Sequence, residues 1–400
     1  MPRYFLPLLI LSLIACCIEV DISVPSFPSM GHYFNVNDGT IQMTIAYNFF
    51  GFCLGAALYG PLSDAYGRRP IMVWGNTLLL LGAIGCVIAP SIPFLLCARL
   101  IQGLGAAASA VVVFAMVADA YPTKDKAAKL IGAMNSVFTI LMAAAPIAGG
   151  LINETAGWRG NYGIVALICL VSWVCLVFFL PETKCTFESF QFSKVRKSYG
   201  QLLTNIPFIC ASFVPSLSYA AYLSFITQAA FLYTETYELT LMMYVLHQSI
   251  IILVFSIASL LSGSIIQKLG RRGCVIKGVF LSGFGAMAMV AASLLAPKSP
   301  YIMTFFMSFV GLGSAISYPV IFSRSLELFP NIKGTASSAI MSMRAFICFA
   351  FVALTSYVYN GNSLRISSIV LSANIACLFF TIYLLRCNLF SGALPSQNAV

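Results

Sequence analysis

Twelve stretches of this chain run for about twenty residues each with almost no charge, and very few folds can hold such stretches. They lie at about 4–25, 41–60, 71–90, 93–117, 128–150, 161–180, 206–232, 242–264, 274–296, 300–323, 336–359 and 366–386. An α-helix rises about 1.5 Å per residue, so each run is long enough to cross the roughly 30 Å hydrocarbon core of a bilayer. Inside lipid every backbone polar group must find its partner within the protein, which leaves only helices and closed barrels. These runs lack the apolar–polar alternation of a barrel strand. Composition agrees: 60% of the 400 residues are hydrophobic and 8% are charged, whereas soluble domains carry about 25% charge. The expected fold is all-α and integral to the membrane, with twelve transmembrane helices.

The few charges fix an orientation. Of the 22 Lys and Arg residues, seventeen fall on the loops and span ends of one side, including Arg68, Arg69, Lys184, Arg196, Lys197, Arg271 and Arg272. Three fall on the other side (Arg159, Lys298 and Arg365), and Arg99 and Arg344 fall inside spans. Basic loops stay in the cytoplasm, so both termini are expected there; this side is called the basic face below. The net charge of +10 follows from the same bias, and no nucleic-acid partner is expected. Of the thirteen cysteines, eleven lie within spans, and Cys185 and Cys387 in basic-face loops. They read as small buried hydrophobes rather than as disulfides or metal ligands. The first span begins almost at Met1 and lacks a small-residue cleavage site, so it reads as a retained helix.

The chain is also repeated. "GPLSDAYGRRP" at 60–70 is matched by "GSIIQKLGRRG" at 263–273, which aligns Gly60, Gly67, Arg68 and Arg69 with Gly263, Gly270, Arg271 and Arg272. "GLGAAAS" at 103–109 is matched by "GLGSAIS" at 311–317, and Asp119 by Glu327. Two halves of six spans in the same orientation are parallel repeats, which rock about a central site. The expected organisation is a six-helix bundle over 1–180, a cytoplasmic central loop over 181–205, and a second, pseudo-symmetric six-helix bundle over 206–400 ending in a short cytoplasmic tail.

These motifs resemble those of a large family of twelve-helix transporters, the major facilitator superfamily. Gly60, Leu62, Asp64, Gly67, Arg68 and Arg69 match its loop motif, and "ARLIQGLGAA" matches its second motif through Arg99, Gln102, Gly103 and Gly105. "APIAGG" in span five is similar to the antiporter motif of drug exporters through Pro146, Gly149 and Gly150, but Leu141 and Ala145 stand where glycines are usual. "GWR" at 157–159, "LPET" at 180–183 and "GTASS" at 334–338 resemble the Bcr/CflA branch of drug:proton antiporters. The resemblance implies a proton-coupled exporter of small amphipathic compounds, monomeric, in a bacterial inner membrane, with the proton gradient as energy source and no cofactor. It implies a latch in which Asp64 ties its loop to the start of span eleven while Arg68 and Arg69 meet Asp119. The imperfect span-five motif keeps open a proton-driven uptake symporter for a nutrient. No nucleophile–base pair, phosphate loop or metal cluster points to an enzyme.

Ionisable groups inside the membrane mark functional sites by default. Asp21 and Arg99 have matching depths in the outer third, which suggests an ion pair and makes Asp21 the candidate proton or cargo carboxylate; the resemblance points to the same residue. A purely structural Asp21–Arg99 pair is the plain alternative. Glu19 lies about 200° around the helix from Asp21, so it faces elsewhere, as a second titrating acid or a hydrogen-bonding group. Arg344, two turns inside span eleven, either snorkels to the headgroups or pairs near the Asp64 loop. Tyr47, Gln102, Asn135, Phe138, Tyr222, Phe225, Gln228, His247 and Tyr318 are candidate cavity residues, with Tyr219 beside them, each of which has packing as its plainer reading. Pro146, Gly149 and Gly150 form a candidate hinge.

Overall fold

In the computed structural model, residues 2–121, 124–184, 191–330 and 332–390 are described, except for the side chains at 124–129, 131–133, 135–136 and 138–139. Thirteen α-helices and no strand occur among them: α1 (Phe5–Asp21), α2 (Phe27–Phe34), α3 (Asp38–Tyr66), α4 (Arg68–Ile88), α5 (Ile92–Ala120), α6 (Lys124–Phe179), α7 (Phe192–Thr204), α8 (Ile206–Phe231), α9 (Leu241–Leu260), α10 (Ser262–Leu295), α11 (Pro300–Glu327), α12 (Lys333–Val358) and α13 (Ser363–Arg386).

Eleven helical segments of the described chain are long and apolar enough to cross a membrane. The difference from twelve lies in α6. Its 56 residues would extend about 84 Å if straight, nearly three hydrocarbon thicknesses. Gly157 breaks it with φ 68° and ψ −178°, a conformation open to glycine and costly to other residues. The segment is therefore two crossings, spans five and six, and the count returns to twelve.

The first span is longer than expected and interrupted. It runs from Phe5 to Phe34 through α1, a 3₁₀ turn at Val24–Ser26 and α2. Pro25 and Pro28 have no N–H, so neither can complete the helical ladder four residues back. Tight turns replace it, with Ser23 and Ser26 donating to the carbonyls of Val20 and Ser23. The α-helix consequently ends at Asp21.

The repeat seen in sequence is a repeat in space. Gly67 (φ 101°) and Gly270 (φ 68°) are the turn points of the two equivalent loops. Arg68 reaches Asp119 at 2.9 Å, and its counterpart Arg271 approaches Glu327, the counterpart of Asp119, at 3.8 Å. Gly105 lies so close to Gly75 and Leu79 of α4 that a Cβ would fall on the Leu79 backbone, and Gly313 meets Gly278 and Ser282 of α10 in the same way. Small residues at equivalent places thus let both pairs of helices approach backbone to backbone.

The halves meet along two seams. On one, α3 lies along α12: Ser356 Oγ is 3.2 Å from Met43 Sδ, Phe50 and Phe349 pack with ring centroids 5.0 Å apart, and Ser342 donates to the Cys53 carbonyl at 2.9 Å. On the other, Gly150 of α6 faces Val245 of α9. The connection expected as a loop at 181–205 contains a helix, α7. Its Tyr199 donates to the Ala57 carbonyl of α3 at 2.8 Å, while Leu202 is buried with Phe208, Ala336 and Ile340. The central connection therefore buttresses the α3–α12 seam from the basic face.

Candidate functional site

Arg99 is fully buried and pairs with Glu19, not with Asp21. Its Nη1 lies 3.1 Å from a Glu19 carboxylate oxygen, with side-chain exposures of 0% and 2%. Asn48 donates to both Glu19 oxygens at 3.1 and 3.2 Å. Arg99 Nη1 also donates to Gln102 Oε1 at 2.8 Å, and its guanidinium lies 5.6 Å from the Tyr162 ring centroid. The sequence expectation is corrected here. The angular offset of about 200° turns Glu19, rather than Asp21, toward α3 and α5 of its own half. Gln102, expected in the cavity, belongs to this closed cluster.

Asp21 faces the other half. Its carboxylate is 2% exposed, and Tyr222 of α8 donates to it at 3.3 Å. The Tyr222 ring neighbours that of Tyr219, one helical turn earlier, at 6.0 Å. Beyond it, the Arg344 guanidinium of α12 sits 5.2 Å from the Tyr219 ring centroid and 3.5 Å from the Tyr318 hydroxyl of α11. An acid from the first half and a cation from the second thus stand at the two ends of a tyrosine wall. Arg344 neither snorkels nor reaches the Asp64 loop; it turns inward.

The other candidates scatter. Tyr47 is part-buried on α3. Phe225 is 1% exposed and packs in the core, and Gln228, also 1% exposed, has no hydrogen-bond partner for either amide atom among the described residues. His247 is not with Asp21. Its Nδ1 is 2.8 Å from Thr304 Oγ1, and it lines a cavity of about 370 Å³ on the flank between α9 and α11, beside the exposed Tyr301 and Phe305. Asn135 and Phe138 lie outside the described side chains. Pro146 lies within α6 without leaving helical dihedrals, and the break comes at Gly157. Gly149 packs against the Ile22 backbone and Gly150 against Val245, so close approach accounts for both glycines.

At the basic face, Asp64 is not joined to α12. Lys184 and Arg68 hold it at 2.6 and 3.0 Å, both within or next to the first half. The close neighbour on α12 is Ser338, which faces Gly60. Arg69 donates to the Val177 carbonyl rather than to Asp119. Glu182 caps α4 by accepting from the backbone N–H groups of Arg68 and Arg69 at 3.1 and 3.0 Å, where a helix amino terminus favours an anion. Sequence reasoning passed over Glu182, Lys184 and Asn48. An acid in "LPET" followed two residues later by a lysine was the available signal; Asn48 gave none.

The family model described as Major Facilitator Superfamily matches residues 9–385. A bicyclomycin resistance protein homolog of Haemophilus influenzae is 25% identical over 329 residues, covering 81% of this chain and 82% of its own. Multidrug resistance protein MdtM of Escherichia coli is 22% identical over 390 residues, 95% of each. The crystal structure of a D-xylose-proton symporter superposes with a TM-score of 0.74 at 16% identity, over 99% of both chains; at that identity the likeness concerns the fold.

Proposed function

Since this chain belongs to the Major Facilitator Superfamily, a family of transporters rather than enzymes, we propose that it is a proton-coupled exporter of small amphipathic compounds. One observation carries this reading: of the two acids in the first span, one is neutralised inside its own half and the other faces the opposite half. Glu19 is held by Arg99 and Asn48, which suits a structural anchor. Asp21 sits at the break after α1, where among the described residues its hydrogen-bond partner is a tyrosine hydroxyl from α8. A carboxylate between two bundles that rock changes its solvation as they move, and desolvation favours the protonated form. Proton and cargo then compete for Asp21, and cargo leaves as the proton enters. The driving force is about 2.3 kcal/mol per charge per 100 mV, plus any pH difference.

The drug-resistance names of the relatives support export, as does the span-five motif. The basic-face network of Asp64, Arg68, Asp119, Lys184 and Glu182 is proposed to brace the first half, with the Gly60–Ser338 approach as the latch that opens. Pro146, Gly149 and Gly150 remain the proposed hinge, acting through their close contacts with Ile22 and Val245. The proposal places the protein in an inner membrane as a monomer, with both termini on the cytoplasmic side and no cofactor. Uptake by proton symport is the second reading, favoured by Leu141 and Ala145 in the span-five motif. Proteoliposomes with an imposed pH gradient decide between them by the direction of net flux. Asp21→Asn is expected to abolish pH-driven flux while leaving the protein folded; pH-driven flux at the original rate in that variant removes Asp21 from the mechanism.

A further inference from the structure

Arg344 is a cation for which proton exchange alone has no use. α12 begins at Lys333, so Arg344 lies about 16 Å along the helix, near the bilayer midplane. Among the described residues no carboxylate lies within ion-pair distance of it. A charge at that depth is expensive unless something compensates it. Its contacts are the Tyr219 ring and the Tyr318 hydroxyl, which attract a cation weakly and leave the charge in place.

Among the described residues, Asp38, Glu235 and His32 gather where the halves meet at the outer helix ends, away from mid-membrane depth. Glu19 and Arg99 cancel within the first half. Arg324 lies at the basic-face end of α11, 2.5 Å from Glu327. His247 faces the outer flank. What remains at membrane depth among the described residues is Asp21 at one end of the tyrosine wall and Arg344 at the other.

We infer that Asp21 and Arg344 form a two-charge cargo site with an aromatic floor, and that the favoured cargo is a net-neutral zwitterion: an aromatic or apolar body carrying a cationic group for Asp21 and an anionic group for Arg344. The inference rests on the reading of this junction as the cargo site. A zwitterion leaves no net charge in low dielectric. A lipophilic monocation leaves Arg344 uncompensated, and a monoanion leaves Asp21 so. Binding in this manner also couples to the proton, because protonating Asp21 removes the partner of the cargo's cationic group and weakens its hold.

The test is binding to the purified full-length protein, by thermal stabilisation and tryptophan-fluorescence titration, without any gradient. The probes are matched triplets on one aromatic body: phenethylamine, phenylalanine and phenylpropionate, with the corresponding dipeptide-length set. The zwitterion of at least one triplet is expected to bind more than tenfold tighter than its two singly charged partners. Arg344→Gln is expected to erase that preference by weakening the zwitterion and the anion tenfold or more while sparing the cation. Arg344→Lys is expected to keep part of it, and serves should Arg344→Gln fail to fold. Tyr219→Leu, which keeps both charges, is expected to weaken all three probes together. A cation that binds best, a zwitterion that binds equally to Arg344→Gln, or no zwitterion binding in any triplet overturns the inference. Zwitterion binding without pH-driven flux would sink the proton-coupled reading and leave this one standing.

Discussion

Glu19 and Asp21 are chemically similar, two residues apart and equally buried, yet their neutralisation should have opposite consequences. Glu19→Gln leaves the amide oxygen able to accept from Asn48, but it strips the one carboxylate paired, among the described residues, with a guanidinium that is 0% exposed. Arg99 already has Nε and Nη2 without partners among the described residues, so nothing nearby replaces the lost charge. Removing one member of a buried ion pair costs about 3–5 kcal/mol. Asp21→Asn disturbs one long hydrogen bond of 3.3 Å, and the loss should be below about 1 kcal/mol. For 400 residues, soluble-protein entropies convert the first figure to a fall of roughly 4–6 °C in Tm and the second to about 1 °C or less. The assay is a thermal-unfolding series on detergent-purified wild type, Glu19→Gln, Asp21→Asn and the double variant Glu19→Gln/Arg99→Met. The double variant should recover part of the loss, because it removes the stranded charge along with its partner. Transport should fail in Asp21→Asn at nearly normal stability. Equal destabilisation by the two single variants, or a double variant worse than Glu19→Gln alone, would refute the assignment of a structural role to Glu19 and a working role to Asp21.

Gly270→Ala should cost about 1–3 kcal/mol from backbone strain alone, since nothing lies within 4 Å of the added Cβ; Gly273→Ala, in ordinary helix, should cost nothing, and the two melting curves check the difference. Gly105→Ala should prevent the α4–α5 approach, because the new Cβ would fall on the Leu79 backbone; a sharp drop in monodisperse yield on size-exclusion chromatography is the readout. Glu182→Gln should uncap α4 at a cost of about 1 kcal/mol, seen as faster hydrogen exchange at the Arg68 and Arg69 amides with little change at Arg271.

The spans and their duplication were legible because they depend on local quantities. Length and hydropathy are properties of consecutive residues, and Gly67 and Gly270 announce their turns without reference to the rest of the chain. The break at Gly157 was legible too: it falls in the polar stretch between the spans at 128–150 and 161–180, and glycine tolerates that dihedral pair where other residues do not. At the site, the sequence supplied the depth of Asp21, Glu19 and Arg99 and the angle between the two acids. It did not say which of the two faces Arg99. Periodicity gives the relative angle of two side chains on one helix, whereas the absolute rotation of that helix is set by what it packs against. Here α1 is clamped by Gly149 against Ile22 and turned by the prolines after Asp21, which sends Glu19 into its own bundle and Asp21 across to α8. Arg344 was undecided for the same reason: its helix offered a headgroup side and an inner side, and only the rings of Tyr219 and Tyr318, brought from two other helices, made the inner side the one it took.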